Sequence, residues 1–459
     1  MTERNEQTIC AISTAHGIGG IAVIRVSGKE ALSICTRYSP ALLKKKSVES
    51  HRAYFSSFTD AKNEKIDEVV LTYFAEGKSF TGEQTVEISC HGSPFISSQI
   101  LETLVGGGAR IADPGEFTYR AFMNGRIDLV QAESVLALIE SQSRDSAKLA
   151  LRQLEGRVSE KFEAAVGDLT WCLAHIEASI DFIEQGIEVV DVSDLLKRLT
   201  AIKSSLQGIL QTYESGRLLR DGARVVLVGE PNAGKSSLLN MLSMSDRAIV
   251  TPIAGTTRDV IDCEIVYGGR KLNLVDTAGL RESKDVVEVI GIDRSMKEAG
   301  KADLICLVFD AGSGDWERTL QLADQHGTSR KLAIVNKVDL FSGFDEGRLR
   351  QRLGVGVPVI AVSATDDASR PRLLDEILKS LGSIQGAESA AISTARQYEQ
   401  TKEAFEMISK SVDEMAAGLG AEFVAMSLKG ALISLQKILG QVYDDQIMDR
   451  VFKEFCLGK

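Results

Sequence analysis

A glycine-rich octapeptide near the middle of the chain, Gly-Glu-Pro-Asn-Ala-Gly-Lys-Ser at residues 229–236, constrains the fold more than any other segment. It fits the phosphate-binding pattern G-x-x-x-x-G-K-[ST], in which the backbone N–H groups of a tight loop point at phosphate oxygens. Lys235 is expected to reach the β- and γ-phosphates, and the Ser236 hydroxyl to ligate Mg²⁺. An apolar run precedes the loop at 224–228, and a helical pattern follows it at 237–241. We therefore predict a nucleotide-binding strand-loop-helix unit inside an α/β domain.

Composition places the chain among ordinary globular proteins, with 459 residues, 44% hydrophobic and 25% charged. Its start is charged, and no apolar run approaches the roughly 18 residues that span a bilayer, so we expect a cytoplasmic protein with no membrane contact. The seven cysteines are scattered and never spaced C-x-x-C, which indicates neither a disulfide framework nor a zinc site. The net charge of −11 argues against broad nonspecific attraction to nucleic acid.

Proline positions divide the chain, because a proline inside a helix costs about 3 kcal/mol. Residues 115–230 and 372–459 contain no proline, and both stretches carry helical apolar spacing. Between them, short β-rich runs alternate with helical ones, which is typical of a mostly parallel sheet. We predict a multidomain α/β protein. An N-terminal α+β domain occupies 1–121, and a discontinuous all-α helical domain occupies 122–221 and 383–459. A Ras-like P-loop G domain is inserted at 222–382.

Three further motifs follow predicted strands in the order expected of a GTP-binding domain. Asp276, Thr277, Ala278 and Gly279 come first, where Asp276 can reach Mg²⁺ through water and the Gly279 N–H can contact the γ-phosphate. Asn336, Lys337, Val338 and Asp339 come next, and the Asp339 carboxylate can accept two hydrogen bonds from guanine that adenine cannot offer. Ser363 and Ala364 fit the last and weakest signature. Four motifs in this order favour GTP over an accidental set of turns, and over a degenerate fold without nucleotide.

Residues 251–259 lie where a switch loop belongs, and Thr257 can complete the coordination of Mg²⁺. Leu280 stands after Gly279, where a Ras-like protein has a water-orienting glutamine, so hydrolysis must use another device. Four nearby charged residues are candidates for that catalytic role: Arg258, Arg281, Glu282 and Glu288. Each of them taken singly is also typical of a solvated surface.

The motifs above are joined by residues 255–259 and 276–282 and by the final Phe-Cys-Leu-Gly-Lys at 455–459. Together these segments resemble the bacterial tRNA-modification GTPase family MnmE, also called TrmE. The resemblance covers essentially the whole chain. It implies that a potassium ion acts in place of an arginine finger, held by Asn232, Thr256 and the carbonyls of Thr251 and Ile253. It also implies that Glu288 positions the attacking water. The predicted GTP-binding residues are then Asn232, Ala233, Gly234, Lys235, Ser236, Ser237, Thr251, Thr256, Thr257, Asp276, Thr277, Ala278, Gly279, Asn336, Lys337, Asp339, Ser363 and Ala364.

The first domain resembles the folate-binding domain of the same family, through motifs at 17–20, 25–28, 80–83, 114–117 and 124–126. The resemblance implies that Arg25, Glu83 and Arg126 contact a 5-formyl- or methylene-tetrahydrofolate donor, with Lys459 nearby. Ile18 and Arg126 depart from the arginine and lysine common in the family. From the residues alone Cys456 is expected to be a small buried hydrophobe. The family's C-[IL]-G-K tail instead associates Cys456 with the modification chemistry.

The function implied by the resemblance is a potassium-dependent GTP hydrolase that acts with the flavoprotein MnmG (GidA). The pair places a 5-carboxymethylaminomethyl group on the wobble uridine of certain tRNAs. The family forms a homodimer through its N-terminal domains, joins MnmG in a heterotetramer-type complex, and leaves FAD to that partner. The alternative is an Era- or Der-like regulatory GTPase in ribosome assembly. That class is expected to carry a KH-like G-x-x-G segment or a second G domain, and neither is found beyond residue 372.

Overall fold

The structure, a computed structural model, describes most of the chain. The described residues are 7–45, 47–182, 191–244, 263–276, 300–313, 316–325, 330–341, 343–354, 356–382, 391–443, 448, 451–453, 455 and 458. The strands are β1 Ile9–Ile12, β2 Ile21–Ser27, β3 Arg52–Thr59, β4 Lys65–Phe74, β5 Thr85–His91, β6 Arg110–Ile111, β7 Ala223–Gly229, β8 Cys263–Tyr267, β9 Arg270–Asp276, β10 Leu304–Asp310, β11 Lys331–Asn336 and β12 Val359–Ala361.

Helices make up the remainder of the regular structure in the described residues. In chain order they are α1 Ala31–Arg37, α2 Pro40–Leu43, α3 Pro94–Gly106, α4 Glu116–Met123, α5 Leu129–Ile139, α6 Arg144–Leu154, α7 Arg157–Phe182, α8 Val192–Gln211, α9 Tyr213–Asp221, α10 Lys235–Ser243, α11 Glu317–Gln325, α12 Glu346–Leu353, α13 Ser369–Ser380, α14 Ala395–Ala416 and α15 Ala421–Leu439. None of the helices in the described part of the chain is long and apolar enough to cross a membrane.

The first sheet has the strand order β3-β4-β5-β2-β1-β6. All its neighbouring strands are antiparallel except β1 and β6, which are parallel. Along β4 and β5 buried and less buried residues alternate, as expected of a sheet with one face toward a core. That core includes Ile24, Val26, Phe58, Leu71 and Ile88, packed with residues of α1 and α3. The N-terminal region is therefore α+β, as the sequence predicts.

The second sheet has the order β12-β11-β10-β7-β9-β8, and every pair is parallel except the β8–β9 hairpin. Strand β10 is buried along nearly its whole length, because apolar clusters cover both faces of the sheet. Leu238 of α10 and Leu374 of α13 belong to one cluster, while Leu320 of α11 and Leu349 of α12 belong to the other. The predicted α/β domain with a mostly parallel sheet is confirmed.

The chain divides into two compact units. The first contains residues 1–136, 153–203 and 400–459, and the second contains 137–152 and 204–399. The second unit therefore contains the parallel sheet together with parts of the flanking helices α5, α6, α8 and α14. The domain boundaries at 121, 221 and 382 stay predictions.

Candidate functional site

The phosphate-binding loop connects β7 to α10 as the sequence predicts. Gly234 caps the helix with φ +91°, in the left-handed region where glycine carries no Cβ penalty. Asn232 also has a positive φ, +64°, which is uncommon for a residue with a side chain. The Lys235 ammonium donates to the carbonyl oxygens of Gly229 at 2.9 Å and Glu230 at 2.8 Å. Lys235 is thus folded back over its own loop, at the N-terminus of a helix that favours anions.

Asn336 ties the phosphate-binding loop to the end of β11. Its Nδ2 donates to the Ala233 carbonyl at 3.0 Å, and its Oδ1 accepts from the Ala364 N–H at 3.1 Å. Gly234 lies so close to the Asn336 amide that a Cβ there would overlap it. Three predicted binding segments, at 232–237, 336–339 and 363–364, therefore meet at one buried side chain.

Lys337 makes the second link to the loop. Its ammonium donates to the Asn232 carbonyl at 2.7 Å and pairs with Asp310 Oδ2, also at 2.7 Å. Asp310 Oδ1 accepts the Gly312 N–H at 2.9 Å. Burial raises the pKa of Asp310, but its hydrogen bonds to Lys337 and Gly312 outweigh burial and hold that pKa below its usual range. Asp310 is not among the site residues predicted from the sequence, where its signal is an aspartate at the end of a buried strand.

The other described site residues lie at the same edge of the sheet. Asp276 ends β9 opposite Leu227 of β7, just before the loop. Ser363 follows β12 and is buried, and its hydroxyl bonds Thr365 at 2.8 Å. Asp339 is exposed, so its carboxylate is accessible to a ligand. The carboxyl ends of parallel strands thus bring the four motifs together, at the place where open α/β sheets bind ligands.

Part of the predicted site lies outside the described residues. This applies to the switch-loop residues Thr251, Ile253, Thr256 and Thr257, to Thr277, Ala278, Gly279 and Glu288, and to Cys456 and Lys459. Among the residues that are described, no three His, Cys, Asp or Glu side chains cluster as metal ligands.

A second group of predicted residues surrounds the segment at 80–83 in the first unit. The Arg25 guanidinium lies 5.6 Å from the Phe80 ring centre and also pairs with Glu87 at 2.9 Å. Arg126 is exposed, and its Cγ would lie 3.2 Å from a Cβ built on Gly82. Glu83 belongs to the segment itself. The structure therefore brings Arg25, Glu83 and Arg126 to one short stretch of chain.

A buried arginine holds Glu83 in place. Arg120, only 3% exposed, donates to both Glu83 oxygens at 3.1 Å, to Glu116 Oε1 at 2.9 Å and to the Gln7 carbonyl at 2.8 Å. Burial raises the pKa of Glu116, but hydrogen bonds from Arg110, a backbone N–H and Arg120 outweigh it and lower that pKa below its usual range. Arg120 is not among the residues predicted from the sequence, because an arginine on a short helix resembles any surface cation.

Comparison with known proteins identifies the family of the chain. The family model "MnmE helical domain" matches residues 129–456, and "GTP-binding protein TrmE N-terminus" matches residues 8–126. The tRNA modification GTPase MnmE of Bdellovibrio bacteriovorus is 47% identical over 477 aligned positions, covering 100% of this chain and 98% of that protein. The chain belongs to the MnmE family. The MnmE of Alkaliphilus metalliredigens is 38% identical and covers 99% of both chains.

Among solved structures, the FeoB G domain of Methanococcus jannaschii is 27% identical, with a TM-score of 0.27. It covers 35% of this chain and 98% of its own length. Membership of the MnmE family rests on the family models and the full-length relatives. It agrees with the resemblance read from the motifs of the sequence.

Proposed function

We propose that this protein hydrolyses GTP and that the hydrolysis serves tRNA modification. The observation that carries the proposal is the attachment of the phosphate-binding loop to the base-recognition segment. Asn336 and Lys337 bond the carbonyls of Ala233 and Asn232 directly. A nucleotide whose phosphates lie on α10 then has its base beside Asp339, a carboxylate that selects guanine. The family names of the full-length relatives support the same activity.

The described residues suit the two cations of the proposal. The Ser236 hydroxyl, in the first turn of α10, is a ligand type that Mg²⁺ accepts, and Thr257 would complete that set. Asn232 is exposed on the loop and offers an amide oxygen, while Thr251, Ile253 and Thr256 would supply the other potassium ligands. When bound, the cations supply positive charge beside the transferring phosphoryl group. Lys235 stabilises the same charge, and Glu288 would orient the water.

The modification chemistry is proposed for the first unit. Arg25, Glu83 and Arg126 would bind a tetrahydrofolate one-carbon donor, with Lys459 and Cys456 contributed by the C-terminal tail. Gly458 supports this placement, because it lies against the Ile12 carbonyl so closely that a Cβ would overlap it. The product would be 5-carboxymethylaminomethyl uridine at the tRNA wobble position. A homodimer in the cytoplasm would act with the flavoprotein MnmG, which carries FAD.

The potassium assignment is tested by GTP turnover in matched potassium and sodium buffers. We expect the wild type to turn over GTP much faster in potassium than in sodium. The Asn232→Gly variant should show equal rates in the two salts. Glycine is the suitable replacement, because it accepts the φ of +64° without strain while removing the amide. Equal wild-type rates in both salts would overturn the potassium site but leave GTP hydrolysis standing.

Nucleoside mass spectrometry of tRNA from cells lacking the protein tests the biological role. Loss of the modified wobble uridine supports the proposal, whereas an unchanged nucleoside profile supports the Era- or Der-like alternative.

Equilibrium binding of 5-formyltetrahydrofolate tests the folate site separately. Arg126→Ala should weaken this binding at least about tenfold, as expected for a lost charged hydrogen bond. The control Arg37→Ala removes an exposed arginine of the same domain that donates to the Gly107 carbonyl. Equal affinities in the two variants would remove Arg126 from the folate site.

A further inference from the structure

The backbone of the phosphate-binding loop is held in an uncommon conformation at Asn232. A left-handed φ costs a residue with a side chain roughly 1–2 kcal/mol, although asparagine tolerates it best. Such a conformation persists only where the surroundings fix it. The described contact that fixes the Asn232 carbonyl is the 2.7 Å hydrogen bond from the Lys337 ammonium. The orientation of the Asn232 amide, the proposed potassium ligand, therefore depends on where Lys337 is held.

Lys337 is itself held by Asp310. One carboxylate oxygen of Asp310 pairs with the Lys337 ammonium at 2.7 Å, and the other accepts the Gly312 N–H at 2.9 Å. Both side chains are largely shielded, with 31% of Lys337 and 23% of Asp310 exposed. A lysine side chain has four rotatable bonds and no fixed geometry of its own. Asp310, anchored at the end of β10, selects the rotamer that reaches Asn232.

We propose that Asp310 is a positioning residue for the nucleotide and cation site. It acts through Lys337 on the backbone of Asn232. In this way it sets both the rate of nucleotide release and the affinity for the activating potassium ion. This inference rests on the GTPase of the proposed function and deepens it. Asp310 touches neither the nucleotide nor the cation in this scheme, so its effect must be lost when Lys337 is lost.

The test is a double-mutant cycle on the full-length protein. Asp310→Ala, Lys337→Met and the double variant are compared with the wild type. Glu346→Ala serves as a matched control that removes a carboxylate from the exposed Glu346–Arg350 pair on α12. Two quantities are measured for each: the potassium concentration that half-activates GTP hydrolysis, and the release rate of a fluorescent GDP analogue. Lys337→Met retains an unbranched apolar stem and removes the ammonium.

We expect Asp310→Ala to raise the half-activating potassium concentration and the GDP release rate about tenfold each, as for a shielded charged hydrogen bond. Asp310→Asn should give a smaller change, because the amide retains one acceptor oxygen. In the Lys337→Met background the same substitution should change either quantity less than about twofold, since the two residues act as one unit. Glu346→Ala should match the wild type.

Two results would overturn the inference. One is an Asp310→Ala protein within twofold of the wild type in both quantities. The other is an Asp310→Ala substitution that changes the two quantities by the same factor with and without Lys337, which indicates a general structural role and not positioning. A wild type that needs no potassium would refute the potassium proposal separately, and the GDP release rates would then decide the inference by themselves.

Discussion

Arg120 of the first unit is the residue for which the structure best defines the loss of folding free energy on substitution. Its guanidinium makes two hydrogen bonds to Glu83, one to Glu116 and one to the Gln7 carbonyl. Arg120→Met retains the apolar stem and removes all four. Deleting one partner of a buried ion pair costs about 3–5 kcal/mol, because the other charge is left buried. We expect the lower end, about 3 kcal/mol, since Glu116 keeps Arg110 and Glu83 is 21% exposed.

Hydrogen exchange by mass spectrometry on peptides covering β2 and β5 measures this cost, because it reports the opening free energy of that sheet within a multidomain chain. The control Arg52→Met removes an arginine that pairs with Glu49 at 2.8 Å, with both side chains more than half exposed. We expect no measurable change in the control, since exposed pairs contribute little. Both variants replace arginine with methionine, so only burial and partners differ.

The pH dependence gives an independent check. The pKa of Glu116 is lower in the folded protein than in the unfolded chain, so its stabilising contribution is present above the unfolded pKa of about 4.3. The contribution is lost as pH falls through the folded pKa. Part of this contribution depends on Arg120, so the stability difference between wild type and Arg120→Met should narrow in acid. A difference under about 1 kcal/mol at pH 7, or one that stays constant down to pH 3, would refute this reasoning.

Three further predictions follow from single contacts. Gly234→Ala should weaken GDP binding about hundredfold in a fluorescence titration, because alanine is strained at φ +91° and its Cβ overlaps the Asn336 amide. Asp67→Asn should lower the thermal unfolding temperature more at pH 7 than at pH 3, because hydrogen bonds from His91 lower the pKa of Asp67 despite burial and the stabilisation falls as the carboxylate is protonated. Gly115→Ala should increase hydrogen exchange in the C-terminal segment, because its Cβ would overlap the Phe452 carbonyl and its φ is +73°.

The parallel sheet was predictable where the strands are buried on both faces. Strands β7, β10 and β11 are largely continuous apolar runs, which is the pattern of a strand covered by helices on each side. β8 was not predicted, although its signal is present. Gly268 and Gly269, both at positive φ, form the two-residue turn of a hairpin that joins β8 to β9.

The strands of the first sheet were harder to predict. β3 contains two adjacent serines, Ser56 and Ser57, which interrupt its apolar alternation and lower its apparent strand propensity. Ser56 is nevertheless buried, because Ser39 and the Ala41 N–H form hydrogen bonds with its hydroxyl. β12 is shorter than the predicted run at 357–362, since a proline at 358 has no N–H to donate to the ladder.

By itself the sequence showed a phosphate-binding loop and family motifs along the whole chain and predicted a guanine-selecting aspartate, because these are local patterns in which spacing carries the information. Only the tertiary structure decided which side chains hold those groups in place. Asp310 lies 78 positions along the chain from Asn232, on which it acts through Lys337. Arg120 lies 37 positions from Glu83, to which it donates hydrogen bonds directly. Contacts of that kind arise when strands and helices distant in sequence pack together, so no local pattern reveals which residues they join.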